Sequence, residues 1–270
     1  MKAENLAVYI LQNLDVIWTF TLLIARYTGL FFSTPGIGQG AEGLRVRAPA
    51  IIVLTLASLP TMKAAPLPVD AVIMTVAIGS EFLLGFLIGM IPKVVVSGVQ
   101  IGAQLASTSM GLSASNLFDP TTGSTSSDLA RIQSDLTILM FLILGGHYTL
   151  IEAVSGLSGQ FTPGNLVFDT VTADLFVQRC GEIFHMGALI SAPVIVALLL
   201  TQFVMGIISR AVPTVNIFIV SFPLTVGIGV ILTIIALPEV MKYVLNQFSA
   251  TDNIASAIIE NMTDLKVIKP

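Results

Sequence analysis

Two ionisable residues sit where water is scarce. Glu81 lies in "VAIGSEFLLGF" and Arg26 in "TLLIARYTGL", and a charge that faces lipid in such a segment is expensive. An acid and a base so placed could form a proton or ion path, a structural ion pair, or a contact with another subunit. Other chemistry is harder to assemble. The run Gly36–Gly40, "GIGQG", has no Walker lysine or serine and lies outside any strand–helix–strand unit, so it reads as a tight, flexible turn rather than a phosphate loop. His147 and His185 have neither HExxH spacing nor a carboxylate cluster nearby, which leaves them structural rather than metal-ligating. A serine nucleophile needs a positioned base, and no GxSxG elbow is present. Asp119 and Asp128 lack a sequence-local partner for acid–base work. Cys180 is the single cysteine, so the chain can form no internal disulfide and no thiolate cluster. The sequence predicts no enzyme, no cofactor and no metal site.

The elements that must position these residues are membrane helices. Charged residues make up 10% of the 270-residue chain and hydrophobic ones 54%, with a mean hydropathy of +0.92. A soluble chain is about 25% charged. Residues 183–209 and 211–238 contain no Asp, Glu, Lys or Arg, and about 20 apolar residues suffice to cross the hydrocarbon core as a helix. Apolar segments run at about 6–34, 48–62, 69–92, 136–151, 183–209 and 211–238. The expected fold is an all-α polytopic membrane protein of about six hydrophobic helical segments. The N-terminal stretch carries Glu4 and Asp15 and lacks a basic n-region, so no cleaved signal peptide is expected. A net charge of −4 gives no basic footprint for nucleic acid.

The spans are imperfect. Asp15, Arg26 and Glu81 lie in or beside them, and Pro92, Pro193, Pro213 and Pro223 interrupt or bound them. With an outside N-terminus, Arg45, Arg47, Lys93, Arg131 and Arg210 fall inside, while Lys2, Lys63, Arg179, Lys242, Lys266 and Lys269 fall outside. The positive-inside rule therefore gives almost no bias. These charges and kinks are expected to face other protein rather than lipid. Gly98, Gly102 and Ala106 recur every four residues as a smooth ridge, with Gln100 and Gln104 on a neighbouring strip, and Gly85 and Gly89 repeat the pattern one helix earlier. Such ridges let helix backbones approach, within one chain or between subunits, and the amides can hydrogen-bond across the contact. After Phe248 the pattern changes. Ile254, Ile258, Met262 and Leu265 share one helical face, opposite Asn253, Ser256, Glu260 and Asp264. That is an amphipathic helix that docks on a partner or an interface, or a frayed end.

Between the greasy segments runs "MGLSASNLFDPTTGSTSSDLARIQSD", from Met110 to Asp135. It is rich in Gly, Ser and Thr, which keep a backbone mobile and hydroxylated, as non-helical chain at membrane depth requires. Met110, Leu112, Leu117 and Phe118 could supply an apolar seal at a constriction, which can gate by excluding water. An ordinary exposed loop between two helices is the plainer alternative.

Three stretches, "GAQLASTSMGLSASNLFDP", "ARIQSDLTILMFLILGGHYTLIEAV" and "SRAVPTVNIFIVSFPLTVGIGV", resemble the FliR family of flagellar biosynthesis proteins and the equivalent subunits of virulence-type type III secretion systems. The resemblance covers nearly the whole chain. It rests on Gly111, Leu112, Asp119 and Pro120, on Gly146 and His147, and on Arg210, Pro213, Asn216, Phe218 and Pro223. Ser209 and Ser221 depart from the pattern, where the family often has Asn and Gly, and put only local packing in question.

The resemblance implies a non-enzymatic export-gate subunit of bent, stacked helical hairpins in the bacterial inner membrane, within the flagellar basal body. FliP-like and FliQ-like subunits would complete the gate, an FlhB-like subunit would wrap its cytoplasmic entrance, and unfolded exported proteins would pass through. Residues 1–200 would be the FliP-like part, 201–248 a FliQ-like hairpin and 249–270 an amphipathic tail. The loop matching 111–128 would plug the channel. The rival from another class is a secondary transporter built on Glu81, Arg26 and broken helices; inverted repeats would favour it, and no convincing internal repeat is present. An intramembrane hydrolase has no motif to support it.

Overall fold

The structure, a computed structural model, describes residues 13–36, 43–112, 127–155, 163–164, 170–212 and 216–263. These form helices α1 (Leu14–Ser33), α2 (Gly43–Ser58), α3 (Ala71–Met110), α4 (Asp128–Ile143), α5 (Gly146–Ser155), α6 (Thr170–Ala211), α7 (Ile217–Ser249) and α8 (Thr251–Thr263), with a 3-10 turn Leu59–Thr61 after α2. No strand occurs among the described residues. Five helices are long and apolar enough to cross a membrane, or six if α4 and α5 make one broken span. The chain is an all-α polytopic membrane protein.

Several helices outrun their apolar segments. α3 extends for 40 residues, α6 for 42 and α7 for 33. Pro92 does not end α3; the helix continues through the glycine ridge to Met110. Pro193 likewise lies inside α6, and Pro223 and Pro238 inside α7. Proline removes one helical hydrogen bond, and membrane helices tolerate this when neighbours satisfy the freed carbonyl. Gly85 and Gly89 therefore share one helix with Gly98, Gly102 and Ala106, instead of lying one helix earlier. The opposite correction applies to 136–151. That apolar run is divided at Gly145, which adopts φ +72°, and a Cβ on Gly146 would overlap the Phe141 ring.

The chain forms two compact units. The first comprises Met1–Lys93, Phe141–Gln178 and Ala250–Pro270. Trp18, Leu22, Ala65 and Ala77 form a core cluster there, with Leu67, Met74 and Ile78 packed against it. α1 and α3 meet backbone to backbone: a Cβ on Gly85 would overlap the Arg26 carbonyl oxygen, and one on Gly29 would overlap that of Phe82. Close van der Waals contact of this kind binds helices where lipid removes the hydrophobic drive between them. The Phe86 ring packs between Phe32 and Phe82, with centroids 6.3 Å from each. α8 packs on α5, with Ala255, Ile258 and Ile259 of α8 buried. The amphipathic tail thus docks on its own chain.

The second unit comprises Val94–Met140 and Arg179–Ser249. Its core cluster is Ala106, Met110, Val194 and Leu198. Gly98 and Gly102 receive α6: a Cβ on Gly98 would stand 2.9 Å from Met186 Cβ, and one on Gly102 2.9 Å from Ile190 Cβ. The ridge is used within the chain.

Candidate functional site

The segment 111–128 is fastened at both ends to the last turns of α3. Its entry is built on α7. Met110 is 1% exposed, and its side chain occupies the space that a Cβ on Gly229 would fill. The Thr225 hydroxyl donates to the Met110 carbonyl at 3.3 Å. Gly111 then turns the chain with φ +87°, closed by its N–H donating to the Thr108 carbonyl at 3.0 Å. The Phe222 ring lies 3.4 Å from where a Gly111 Cβ would stand. Phe222, Thr225 and Gly229 fall at helical spacing, so one face of α7 receives the exit from α3.

The return is held by an amide. The Ser127 N–H donates to Gln104 Oε1 at 2.8 Å. Ser127 Oγ in turn accepts from the Ala130 N–H at 3.3 Å, the reach of an N-cap onto the third helical residue. Asp128 follows in the first turn of α4, where a carboxylate suits the positive end of the helix dipole. From α6, the Gln202 amide donates to the Ser109 carbonyl at 3.4 Å.

Of the residues expected to plug or seal, Met110, Gly111 and Leu112 are described, while Leu117, Phe118, Asp119 and Pro120 lie outside the described residues. Met110 belongs to the core cluster and Leu112 packs against it. Both anchor the entry. Gln104 holds the loop's return and Gln100 is half-buried one turn earlier. Arg210 is exposed in the last turn of α6, where it complements the dipole. Asn216 and Pro223 are exposed at the head of α7, and Pro213 lies outside the described residues. Sequence reasoning missed Thr225 and Gly229, although their four-residue spacing is the signal that singled out Gly98 and Gly102.

The second cluster is the acid and base of the apolar segments. Arg26 Nε and Glu81 Oε2 are 2.5 Å apart, and both side chains are fully buried. Arg26 Nη1 also donates to the Val154 carbonyl at 3.1 Å, near the end of α5, while Glu81 Oε1 accepts from the Gly164 N–H at 2.7 Å. Four segments are thereby fixed by one ion pair. Asp15 does similar work: it accepts from the Leu67 N–H at 3.0 Å, beside Thr19, whose hydroxyl oxygen accepts from the Ala65 N–H at 2.8 Å. Arg26 and Glu81 face protein, as expected, but it is protein of their own chain, whereas Asp15 stays exposed while it holds Leu67. No group of His, Cys, Asp and Glu suited to a metal ion occurs among the described residues.

Residues 17–251 match the family described as bacterial export proteins, family 1. The chain is 25% identical to the flagellar biosynthetic protein FliR of Pectobacterium carotovorum subsp. carotovorum, over 91% of this chain and 93% of that one. It is 27% identical to the FliR of Bacillus subtilis, over 88% and 93% respectively. It is also 26% identical to Yop proteins translocation protein T of Yersinia pestis, over 83% and 88%. The matched span takes in α3, α4, α6 and α7, the helices that hold the two ends of segment 111–128. This chain belongs to bacterial export proteins, family 1, the family of the FliR proteins.

Proposed function

We propose that the chain is a channel-forming and gating subunit of the flagellar type III protein export gate. It acts without enzymatic chemistry, in the bacterial inner membrane at the base of the flagellum. It assembles with FliP-like and FliQ-like subunits, with an FlhB-like subunit at the cytoplasmic entrance, and passes unfolded export substrates. In this reading residues 1–200 are the FliP-like part, 201–248 the FliQ-like hairpin and 249–270 the tail.

The observation that carries the gating role is the double fastening of segment 111–128. Met110 is locked into α7 and Ser127 is tied to Gln104. A polar stretch held at both stems can present Leu117, Phe118, Asp119 and Pro120 to a narrow passage without being drawn through it. An apolar tip there excludes water and ions.

Mass spectrometry of the gently solubilised complex, expressed with its neighbouring genes, tests the assembly. Recovery with FliP-like and FliQ-like chains is expected; a monomer or homodimer under conditions that preserve other assemblies would restore the transporter. In the intact complex, Phe118→Gly is expected to raise ion leakage, and unchanged leakage would remove the plug role. The virulence-type equivalent is a second reading, favoured by the 26% identity to the Yop protein. Deleting the gene separates the two: filaments are lost in one case and effector secretion in the other.

A further inference from the structure

Helix α4 buries polar residues beside Ala130 and Phe141. Gln133, Ser134 and Thr137 are buried, whereas Ile132 and Leu139 are exposed. In a membrane chain the apolar face is free to meet lipid, and the polar groups turned inward must find partners. Thr137 does so, its hydroxyl donating to the Gln133 carbonyl at 2.8 Å. The Gln133 side chain does not: among the described residues its Oε1 is buried without a hydrogen-bond partner. Buried polar atoms in native proteins are nearly always satisfied by protein or by ordered water.

Gln133 lines a small cavity in the second unit, and the space open to a water centre there is about 10 Å³. That is about the volume one water needs. Gly102 and Ala106 of α3, Val194 of α6 and Thr233 of α7 also line it. The Thr233 hydroxyl donates to the Gly229 carbonyl at 2.8 Å, which leaves its oxygen free to accept. Two acceptors on different helices therefore border one water-sized space. Its lining holds no carboxylate, thiolate or imidazole for a metal. A water also suits either flip of the amide, since it accepts as readily as it donates.

We propose that this cavity binds one ordered water, which donates to Gln133 Oε1 and to Thr233 Oγ1 and so joins α4 to α7. The site stands whether or not segment 111–128 seals a channel.

The test uses the full chain, in the assembly with which it purifies, in lipid nanodiscs at a resolution that shows waters. Density within about 2.5–3.0 Å of both side-chain atoms is expected. A side chain of another subunit in the space, or no density there while comparably buried waters are seen, would overturn the proposal. Gln133→Leu and Thr233→Val, made singly and together, supply a second readout. Each single change is expected to lower the unfolding temperature, and the pair to lower it no further than the worse single. Fully additive losses would overturn the bridge. Where a variant does not fold, the density of the unaltered protein decides.

Discussion

Gln104 of α3 accepts the N–H of Ser127 at the head of α4 at 2.8 Å. The chain that leaves α3 at Met110 thus comes back to the same helix, about 1.7 turns before its exit. One amide oxygen sets where segment 111–128 closes.

Gln104→Leu is expected to free the loop's return, at a cost of about 1 kcal/mol in stability, and to raise ion leakage in the assembled complex. Gln104→Glu keeps an acceptor in the same place and is expected to leak less than the leucine variant. Conductance of the two variants in planar bilayers checks the order. Equal leakage would mean that the tie is incidental.

At Gly111, φ is +87°, a region that costs a residue with a Cβ about 1–2 kcal/mol. Gly111→Ala is expected to shift the loop's entry against Phe222 and to lower export. Gly111→Asn, which tolerates that conformation better, is expected to restore part of it. Secretion by complemented deletion strains measures both.

For the buried ion pair, removing one partner strands the other charge, at about 3–5 kcal/mol. Glu81→Leu alone is therefore expected to abolish accumulation of the folded chain. Glu81→Leu combined with Arg26→Met is expected to recover much of it, because no unpaired charge then remains. Protein yield and unfolding temperature in detergent discriminate. If the double variant is worse than the single, the charges do more than fasten segments.

Glycines with and without neighbours are expected to part company. Gly85→Ala drives a methyl into the Arg26 carbonyl and is expected to cost at least about 1–3 kcal/mol. Among the described residues, a Cβ on Gly206 or Gly227 meets nothing within 4 Å. Alanine there is expected to leave the isolated chain as stable or slightly more so. If Gly206→Ala or Gly227→Ala instead blocks co-purification of the unlike subunits, that helix face is an assembly contact.

Much of the fold was legible because lipid imposes so simple a rule: long stretches without charge must be helices. The helix ends were not. Pro92 reads as a boundary, yet a proline inside a packed bundle costs one hydrogen bond and not the helix, so α3 runs on to Met110. Glu81 and Arg26 were conspicuous as charges in apolar runs, but nothing in either segment announces its partner 55 residues away. The glycine ridges were visible, and what they meet was not, since Gly85 is matched by backbone rather than by a complementary motif. α4 carried a mixed sign, with Gln133, Ser134 and Thr137 buried beside Ala130 and Phe141, and Ile132 and Leu139 exposed beside Arg131 and Asp135. Such a pattern does not say from the sequence which side turns inward. Thr225 and Gly229 escaped notice because their role depends on where α3 ends.

The ion pair also sets a problem of timing. Arg26 is synthesised 55 residues ahead of Glu81, which at roughly 5–20 residues per second is a wait of about 3–11 s. Through that interval α1 carries an uncompensated guanidinium in a segment otherwise fit to enter the bilayer, at about 2.5–3.5 kcal/mol against insertion. That cost falls away once the counterion emerges. α1 becomes a settled part of the membrane only when α3 arrives to claim it.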